Sequence, residues 1–310
     1  MTTLQQRFQF MESQAAYVES RVRMIRRAEI QYPELVYISR EANPNADQIV
    51  YYSATGSGEM VDGANRGNDI PLINVSQDQH TQNIQWKHLA YGWSDREIGR
   101  AMYTGVNLPD LKVRFAFRTA EEEKERVFLT GDAGYGWDGI VNNSAIPRSA
   151  SAGTWTTASD QIIFQEVNML IGGAWEATNE SRVCDTLLLP TESLVALNRP
   201  MGADANRSLM EYIMANNPYT QTTGNPLMIK KLRELATAGS RTAVGGVTPT
   251  TDRRAIAYPR DQEVLRYHVP QDLTFSEPQR QAMGWVYYGT LVLGGLEIME
   301  PAAMRYLDGI

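Results

Sequence analysis

The chain has 310 residues, 43% of them hydrophobic and 21% charged; this is the composition of a folded globular protein of one or two domains and excludes collagen, coiled-coil and disordered chains. Its 29 Lys and Arg residues against 36 Asp and Glu residues give a net charge of −7, a poor balance for a protein whose main task is to grip the phosphates of nucleic acid. The single cysteine, Cys184, excludes an intrachain disulfide, and the sequence predicts neither a signal peptide nor a membrane span.

The first segment, from Leu4 to Glu29, is predicted to be an amphipathic helix that serves as an N-terminal arm. It lacks Gly and Pro, and its apolar residues recur at helical spacing. Its arginines outnumber its glutamates, so it is locally positive although the whole chain is negative. Its charged face is either a solvated helix surface or a contact for an acidic neighbour or nucleic acid, and the residue pattern leaves both open.

Residues 48–93 predict a long β-hairpin with a glycine-rich end. The strand-like stretch IVYYSAT is followed by SGEMVDGANRGND and then by runs in which polar and apolar residues partly alternate. Such a hairpin has little apolar surface for a core of its own, and isolated two-stranded ribbons are marginal in water. We therefore expect it to lie on something else, such as another subunit.

Two helices are predicted after the hairpin. Ser94 and Glu97 have the spacing of a capping box, so a helix starts there and runs to about Gly105. A second helix starts at Pro109, whose fixed φ suits a first helical turn, and should reach Leu129. The charged run Glu121–Glu125 within it is predicted to be a solvated face.

The glycine-rich stretch GDAGYGWDG comes next. Its part Gly134–Gly139 satisfies the G-x-G-x-x-G pattern that cradles a pyrophosphate between a strand and a helix. Here a charged helix precedes the pattern and IVNNSAIP, stopped by Pro147, follows it. The context therefore favours a loop that needs positive φ and close backbone packing. A nucleotide-binding α+β enzyme stays the less favoured alternative.

The rest of the chain predicts alternating short elements. A helix over residues 160–178 precedes the strand DTLLL, and TESLVALN and a capping box of Ser208 with Glu211 indicate two shorter helices. Residues 237–252 are rich in Gly, Thr and Ser and predict an exposed loop. The end of the chain predicts strands in AIAY, EVLRYHV and MGWVYYGTLVLGGLEIM, with PQDLTFSEPQ as a projecting loop between the last two.

No motif carries catalytic chemistry. The phosphate-binding G-x-x-x-x-G-K-[ST] and the nucleophile-elbow G-x-S-x-G patterns are absent. The three histidines, His80, His88 and His268, lack the spacing of a metal site, and the position of Cys184 before a buried strand favours a small core residue over a nucleophile. The sequence therefore predicts no enzyme, cofactor or metal. A hairpin, an arm and a loop that can bury apolar surface only against neighbours predict a structural role.

Three stretches together resemble the major capsid proteins of tailed double-stranded DNA bacteriophages. These proteins have the Hong Kong 97 type fold, which is also the fold of encapsulin shells. They are WSDREIGRAMYTGVNLPDLK, AEEEKERVFLTGDAGYGWDGIVNN and GWVYYGTLVLGGLEIMEPAAMRYLDG. They resemble the helix that leads to the family's spine, the acidic end of the spine helix with its glycine turn, and the closing peripheral strands. Ile140 and Val141 stand where that turn often has two leucines.

The resemblance implies an α+β Hong Kong 97 type capsid fold in four parts. These are an N-terminal arm at 1–45, an extended E-loop at 46–93, a peripheral domain at 94–130 and 255–310 with a spine helix at 109–129, and an axial domain at 131–254. The implied contacts between subunits are Gly56, Gly58, Glu59, Met60, Arg66 and Asp69 in the E-loop, Arg21, Arg23, Arg26 and Arg27 in the arm, and Pro270, Asp272, Phe275, Glu277 and Arg280 in the peripheral loop. The loop at 237–252 is a candidate for the capsomer axis.

The implied function is that of a major capsid protein, which self-assembles as hexamers and pentamers into the icosahedral head around the phage genome. The implied location is the virion, after assembly in the bacterial cytoplasm. The implied partners are other copies of the chain, a portal protein, scaffolding and decoration proteins, and packaged double-stranded DNA held by weak non-specific contact, with no membrane. Because Lys87 lies near the base of the E-loop, the covalent cross-linking of some relatives is not carried over. The alternative with the same fold is an encapsulin-like compartment.

Overall fold

The structure, a computed structural model, describes residues 27–58, 72–104, 108–201 and 207–310. Helices and strands are mixed throughout this part of the chain, so the predicted α+β class is confirmed. The short helix α1 (Tyr32–Leu35) and the short strand β1 (Tyr37–Ser39) come first. The long predicted arm helix falls mostly on residues 1–26, outside the described residues, and residues 27–30 have no regular secondary structure.

The predicted hairpin is formed by β2 (Gln48–Ser57) and β3 (Asn74–Asn83), which pair antiparallel along their whole length. We call these two strands the ribbon. The hairpin was predicted to extend to residue 93, but the next strand, β4 (Gln85–Ser94), pairs instead with a strand near the end of the chain. The two strands differ in composition: β3 is polar and exposed, whereas β4 carries Leu89, Tyr91 and Trp93 on one face, where they can be covered.

Helices α2 (Asp95–Thr104) and α3 (Leu108–Thr130) follow β4, as predicted. The capping box of α2 is formed, because Ser94 Oγ accepts a hydrogen bond from the Glu97 amide at 3.2 Å and the Ser94 amide donates to the Glu97 carboxylate at 3.0 Å. Helix α3, which we call the spine helix, is about 35 Å long at the usual rise per residue.

A four-stranded sheet lies beside the spine helix. Its central strand is β14 (Gly284–Leu293), with β4 along one side and β12 (Gln271–Phe275) and β13 (Gln279–Gln281) sharing the other. The projecting loop predicted for PQDLTFSEPQ is therefore wrong over β12. The reason is that Leu273 is buried and the Phe275 ring lies 5.5 Å from the Phe117 ring of the spine helix, which gives this segment a surface to pack against.

A three-stranded sheet brings the two ends of the described chain together. Strand β1 pairs parallel with β11 (Leu265–His268), which pairs antiparallel with β15 (Gly295–Ile298). This register sets Arg266 opposite Glu297 and His268 opposite Gly295, so these residues share one face of the sheet.

A five-stranded sheet forms the other half of the fold. Its order is β7 (Arg148–Ala150), β16 (Arg305–Asp308), β10 (Arg254–Tyr258), β8 (Thr186–Leu189) and β9 (Met228–Lys231). The connecting helices are α4 (Asp160–Ala177), α5 (Thr191–Leu197), α6 (Leu209–Ala215) and α7 (Pro218–Thr223). The domain border predicted at 254/255 cuts through this sheet, because β10 is buried at every position and forms its middle strand.

Two apolar cores hold these layers together. One lies between the spine helix and the strands around it and contains Phe128, Tyr258 and Tyr267. The other lies between α4 and the five-stranded sheet and contains Trp155 and Cys184. Cys184 is fully buried with its Sγ 3.4 Å from the Ala303 carbonyl oxygen, so its prediction as a core residue is confirmed.

The glycine-rich stretch forms a tight turn at the end of the spine helix. Two short strands, β5 (Gly131–Asp132) and β6 (Trp137–Asp138), pair across it. Gly136 has a φ of 72°, and a Cβ on Gly139 would lie only 2.1 Å from the Leu129 carbonyl oxygen. The next α-helix along the described chain begins only at Asp160, so the turn is not followed by the helix that a pyrophosphate-binding pattern requires. The prediction of a loop with positive φ and close packing is confirmed.

The described residues contain neither a membrane-spanning helix nor a cluster of metal-binding side chains. No helix in this part of the chain is long and apolar enough to cross a membrane. The same residues contain no group of three or more His, Cys, Asp or Glu side chains that could hold a metal ion. Two of the histidines, His80 and His88, lie on different strands, β3 and β4.

Candidate assembly surfaces

One face of the ribbon carries exposed apolar side chains. The pairing puts Val50, Tyr52 and Val75 on the same face, because opposite residues and residues two apart share a face. These residues are 44%, 64% and 60% exposed, and Leu72 and Ile73 just before β3 are exposed as well. Thr81, Gln79 and Gln77 share this face, so the exposed apolar side chains form a row along β2 with Val75 at its far end. Exposed apolar groups of this kind are typical of a surface that contacts another molecule.

The ribbon is attached to the rest of the described chain at its root. Gln82 Nε2 donates a hydrogen bond to the Leu296 carbonyl of β15 at 3.1 Å, and Trp137 Nε1 donates to the Asn83 carbonyl at 3.2 Å. Ile49 also packs there, since a Cβ on Gly294 would lie 3.1 Å from Ile49 Cδ1. The ribbon is thus fixed at one end and exposed along its length.

Residues 27–32 run along the spine helix and are fastened to its charged run. Arg27 pairs with Glu122 at 2.9 Å and lies over the Phe115 ring. The Ala28 carbonyl accepts a hydrogen bond from Arg118. The Gln31 amide donates to Glu125 at 2.8 Å, and the Tyr32 hydroxyl donates to Glu121 at 2.7 Å. Burial raises the pKa of the Glu125 carboxyl, while the hydrogen bond from Gln31 opposes that rise. This network holds the end of the predicted arm against the subunit's own spine.

The prediction that the run Glu121–Glu125 is a solvated face is wrong. Lys124 is only 3% exposed, and its Nζ lies 2.7 Å from Glu121 and 2.6 Å from Asp272 of β12. Arg40 pairs with the second oxygen of Asp272 at 2.7 Å. A buried ammonium needs opposite charges nearby. Glu121 supplies one of them from the same helix, but Asp272 comes from a distant element of the fold, so the sequence pattern alone could not reveal it.

A second charged cluster joins β4 to the end of the spine helix. Lys87 Nζ lies 2.5 Å from Glu123 and 3.0 Å from Asp132, and Arg126 contacts the same two carboxylates. The hydrogen bond from Arg126, followed by that from Lys87, lowers the pKa of Glu123, and the hydrogen bond from Lys87 lowers the pKa of Asp132. Lys87 is therefore engaged inside the subunit.

The predicted contact residues of the E-loop and the arm are only partly described. Gly56 lies in β2 near the far end of the ribbon, and Gly58 follows just after the strand; both are exposed. The remaining predicted residues, which are Glu59, Met60, Arg66, Asp69, Arg21, Arg23 and Arg26, lie outside the described residues. Arg27 is described and contacts the spine helix as set out above.

The predicted peripheral-loop residues divide into two groups. Asp272 pairs with Lys124, and Phe275 packs on the rings of Tyr91 and Phe117, so both make contacts within the subunit. Glu277 and Arg280 are exposed, and Pro270 is half-buried just before β12. The surface available to neighbours therefore lies at Glu277 and Arg280 rather than at the start of the segment.

Sequence reasoning missed the tip of the four-stranded sheet. In the turn between β13 and β14, Ala282 has a φ of 47°, and Met283 beside it is 81% exposed. Tyr103 on α2 is 92% exposed. An apolar side chain in a turn was the available signal, but the turn became recognisable only once the β13–β14 pairing was known.

The end of the molecule formed around the five-stranded sheet has exposed apolar residues of its own. Met169 on α4 and Val195 on α5 are 71% and 64% exposed. The predicted loop at 237–252 has little regular structure and is mostly exposed, as expected. Its base is fixed by the Arg241–Asp252 ion pair at 2.5 Å.

The comparisons with known proteins place this architecture in a family. A family model described as major capsid protein matches residues 59–310, which is most of the chain. No curated protein matches the chain in sequence.

Solved structures match nearly the whole chain. The capsid of Myoviridae phage XM1 is similar at 16% identity, with 96% of this chain and 98% of that chain covered and a TM-score of 0.79. The capsid of an empty GTA particle, at 12% identity, with 94% of each chain covered, and Mycobacterium phage Ogopogo, at 12% identity, with 96% and 98% covered, both have a TM-score of 0.59. At these identities the likeness shows the fold, and it confirms the Hong Kong 97 type capsid fold.

The encapsulin-like compartment shares this type of fold, and none of these observations favours it. The family model and the capsid fold both indicate a shell protein, and an exposed ribbon is what a protein that contacts other copies of itself would have. The chain therefore belongs to the major capsid protein family, which makes it a capsid shell protein with its place in the virion capsid.

Proposed function

We propose that this chain assembles as hexamers and pentamers into a closed head around double-stranded DNA, and that the ribbon of each copy lies on a neighbouring copy. The observation that carries the proposal is the exposure of the apolar side chains of Val50, Tyr52 and Val75 on one face of a ribbon whose recorded attachments, among the described residues, lie at its root. Within the described chain this face is uncovered, and a neighbouring copy would cover it.

The energetics suit a shell. Burying an apolar side chain of this size contributes about 1.5 to 3 kcal/mol, less the cost of ordering it. A contact made by three such side chains is weak enough to break and re-form while a shell is being built. Because each subunit would give one ribbon and receive another, the contact repeats around a closed lattice, and the whole becomes stable although each interface is modest.

The proposal also covers the N-terminal arm, the exposed turn between β13 and β14, and the division of the chain into domains. The N-terminal arm (1–45), E-loop (46–93), peripheral domain (94–130 and 255–310) and axial domain (131–254) stay a proposed division, with the borders blurred where β4, β10 and β16 cross them. Glu277 and Arg280, with Met283 at the tip beside them, are proposed to meet neighbouring copies at peripheral contacts. The arm arginines Arg21, Arg23 and Arg26 are proposed to contact a neighbour or the genome.

The proposed role is structural and not catalytic. The proposed partners besides other copies are a portal protein, scaffolding and decoration proteins, and the packaged DNA. The net charge of −7 supports weak, non-specific contact with DNA, because a strongly basic lining would bind the phosphates too tightly for the genome to be packed and released.

Two substitutions at one position test the ribbon contact. Tyr52→Asp puts a charge into the apolar face, so we expect a folded subunit that forms no particles in negative-stain microscopy. Tyr52→Phe keeps the apolar ring and should form particles of normal size. Normal particles from Tyr52→Asp would refute the ribbon as an intersubunit contact. Particles from the unmodified chain that contain an enzyme and no DNA would overturn the genome-enclosing role.

A further inference from the structure

The two faces of the four-stranded sheet differ in character. Pairing sets Tyr91 of β4 opposite Tyr287 of β14, and their rings stack at 5.0 Å. The Phe275 ring of β12 joins them and also contacts Phe117, so this face covers the spine helix. Because successive residues of a strand point to opposite faces, the residues between these point away from the spine helix. We call that second side of the sheet the far face.

Two exposed aromatic rings and a histidine lie on the far face. Trp86 is 48% exposed, and its ring centre lies 6.5 Å from that of His88 on the same strand. Tyr288 of β14 is 38% exposed. Its hydroxyl accepts a hydrogen bond from Gln281 of β13, which is paired with Gly284, so the Tyr288 ring extends along the sheet and presents a flat side. The Cα atoms of Trp86 and Tyr288 are about 14 Å apart, from the rise and spacing of antiparallel strands.

The polar groups that share the far face are uncharged amides and hydroxyls. The register places there Gln271, Thr274, Thr290, Gln279 and Gln281. None of the charged residues in these four strands, all of which the structure describes, lies on this face. Each has its partner on the spine side, which is Glu123 for Lys87, Lys124 for Asp272 and the Trp285 ring for Arg280.

This composition favours a neutral carbohydrate as the ligand. The C–H side of a sugar ring stacks on a flat aromatic ring, and sugar hydroxyls both donate and accept hydrogen bonds, as glutamine amides and threonine hydroxyls do. A nucleic acid needs cations for its phosphates, and the far face has none among these strands.

The far face also differs from a typical protein interface, in which aromatic rings lie within a closely packed apolar core. Here the two exposed rings are separated by His88, Thr290 and the small side chain of Ala90. The aliphatic side chains that point the same way contribute little, since Val286 is half-buried and Val292 is fully buried. What is exposed is therefore a row of rings and polar groups.

We propose that the far face of the four-stranded sheet is a binding site for a neutral oligosaccharide. Trp86 and Tyr288 stack on two of its sugar rings, and the glutamine and threonine side chains pair with its hydroxyls. The site is built within one subunit, so it does not depend on the proposed assembly. Each binding event is weak, but a shell that displays the site many times would bind a polysaccharide surface with high avidity.

Saturation-transfer difference NMR with the full-length, unassembled subunit tests the site. The probes are four neutral hexasaccharides, from cellulose, chitin, amylose and mannan. We expect saturation of the ring protons of at least one probe. Trp86→Ala and Tyr288→Ala should each weaken its binding by about fivefold, the effect of losing one stacked ring. Trp86→Tyr keeps a ring and should retain most of the affinity.

Tyr103→Ala is the matched control, because Tyr103 is 92% exposed on α2 and lies outside the sheet. This variant should bind the probe as the unmodified chain does. Lack of saturation transfer to all four probes would overturn the proposal, and so would equal weakening by Tyr103→Ala. Unchanged sugar binding with a loss of particles in Tyr288→Ala would refute it too and would make the far face a contact between copies. If Trp86→Ala fails to fold, Trp86→Tyr and Tyr288→Ala decide.

Discussion

The Arg254–Asp308 pair is expected to be a major source of stability in the five-stranded sheet, and Asp308→Asn tests this. The side chains of Arg254 and Asp308 are 7% and 1% exposed, and Asp308 accepts two hydrogen bonds from the guanidinium and one from the Ser240 amide. The substitution keeps the size and shape of the side chain but leaves the guanidinium buried without its counter-charge. Removing one partner of a buried pair typically costs about 3 to 5 kcal/mol.

The assay is urea unfolding of the unassembled subunit, followed by far-ultraviolet circular dichroism. The midpoint should shift to lower urea by the amount that corresponds to this loss, with an unchanged slope if the unfolding remains two-state. The double variant Arg254→Met with Asp308→Leu is the control, because replacing both charges by apolar groups of similar volume is often close to neutral. A loss below about 1 kcal/mol for Asp308→Asn, or an equal loss in the double variant, would refute the reasoning.

Three further predictions concern the spine helix and the turn at its end. Gly139→Ala should prevent or strongly weaken folding, since its Cβ would meet the Leu129 carbonyl oxygen at 2.1 Å. Gly136→Ala, with φ 72° and open space around it, should lower the free energy of unfolding by only about 1 to 2 kcal/mol. Equal shifts of the melting temperature in the two variants would contradict this difference. Because the pKa values of Glu123 and Asp132 are lowered in the folded chain, their contribution to stability is present above about pH 4 and is lost as the pH falls further. Lys87→Met should make this loss of stability with falling pH smaller, as measured by urea unfolding at several pH values. An unchanged pH dependence would count against the cluster. Glu125→Gln should be neutral or stabilising at pH 7, since burial raises the pKa of this carboxyl and the amide can still accept from Gln31; a clear loss of stability in thermal melts would show that the charge itself is needed.

Much of the fold could be predicted because its signals are local. The capping box at Ser94 and Glu97, the glycine turn and the buried strand after Cys184 each depend on residues a few positions apart. The tight packing of Gly139 on Leu129 needs no knowledge of distant partners, since both belong to one turn. These are the features that the sequence predicted correctly.

The errors arose where distant segments decide the outcome. The run around Lys124 resembled a solvated face, because Asp272, its partner, lies far away in sequence. The segment at Gln271–Phe275 has the composition of a loop, yet pairing with β14 and the ring of Phe117 make it a strand. The proposed border at 254/255 falls within the five-stranded sheet, since β10 and β16 pair there with strands from the middle of the chain.

The contacts between subunits stay predictions, and the sequence indicated the kind of surface rather than its residues. The strand-like stretch IVYYSAT and the partly alternating runs after the glycine-rich end indicated a ribbon in need of cover, and the structure shows that Val50 and Tyr52 are exposed on one face of it. Met283 at the tip was missed, because an exposed methionine in a turn has no periodic signature. Contacts between copies are made by exposed residues, and which residues are exposed is known only once the fold is known.

The enclosure of the only cysteine has a practical consequence for chemistry on the assembled particle. Cys184 is fully buried, and burial raises the pKa of its thiol, so it should resist maleimide reagents in the native state. A cysteine introduced at a position that stays exposed in the shell would then be the one reactive thiol of each subunit. Dyes, peptides or polymers coupled there would be displayed once per copy, at a spacing set by the lattice, on a particle that needs no removal of native thiols first.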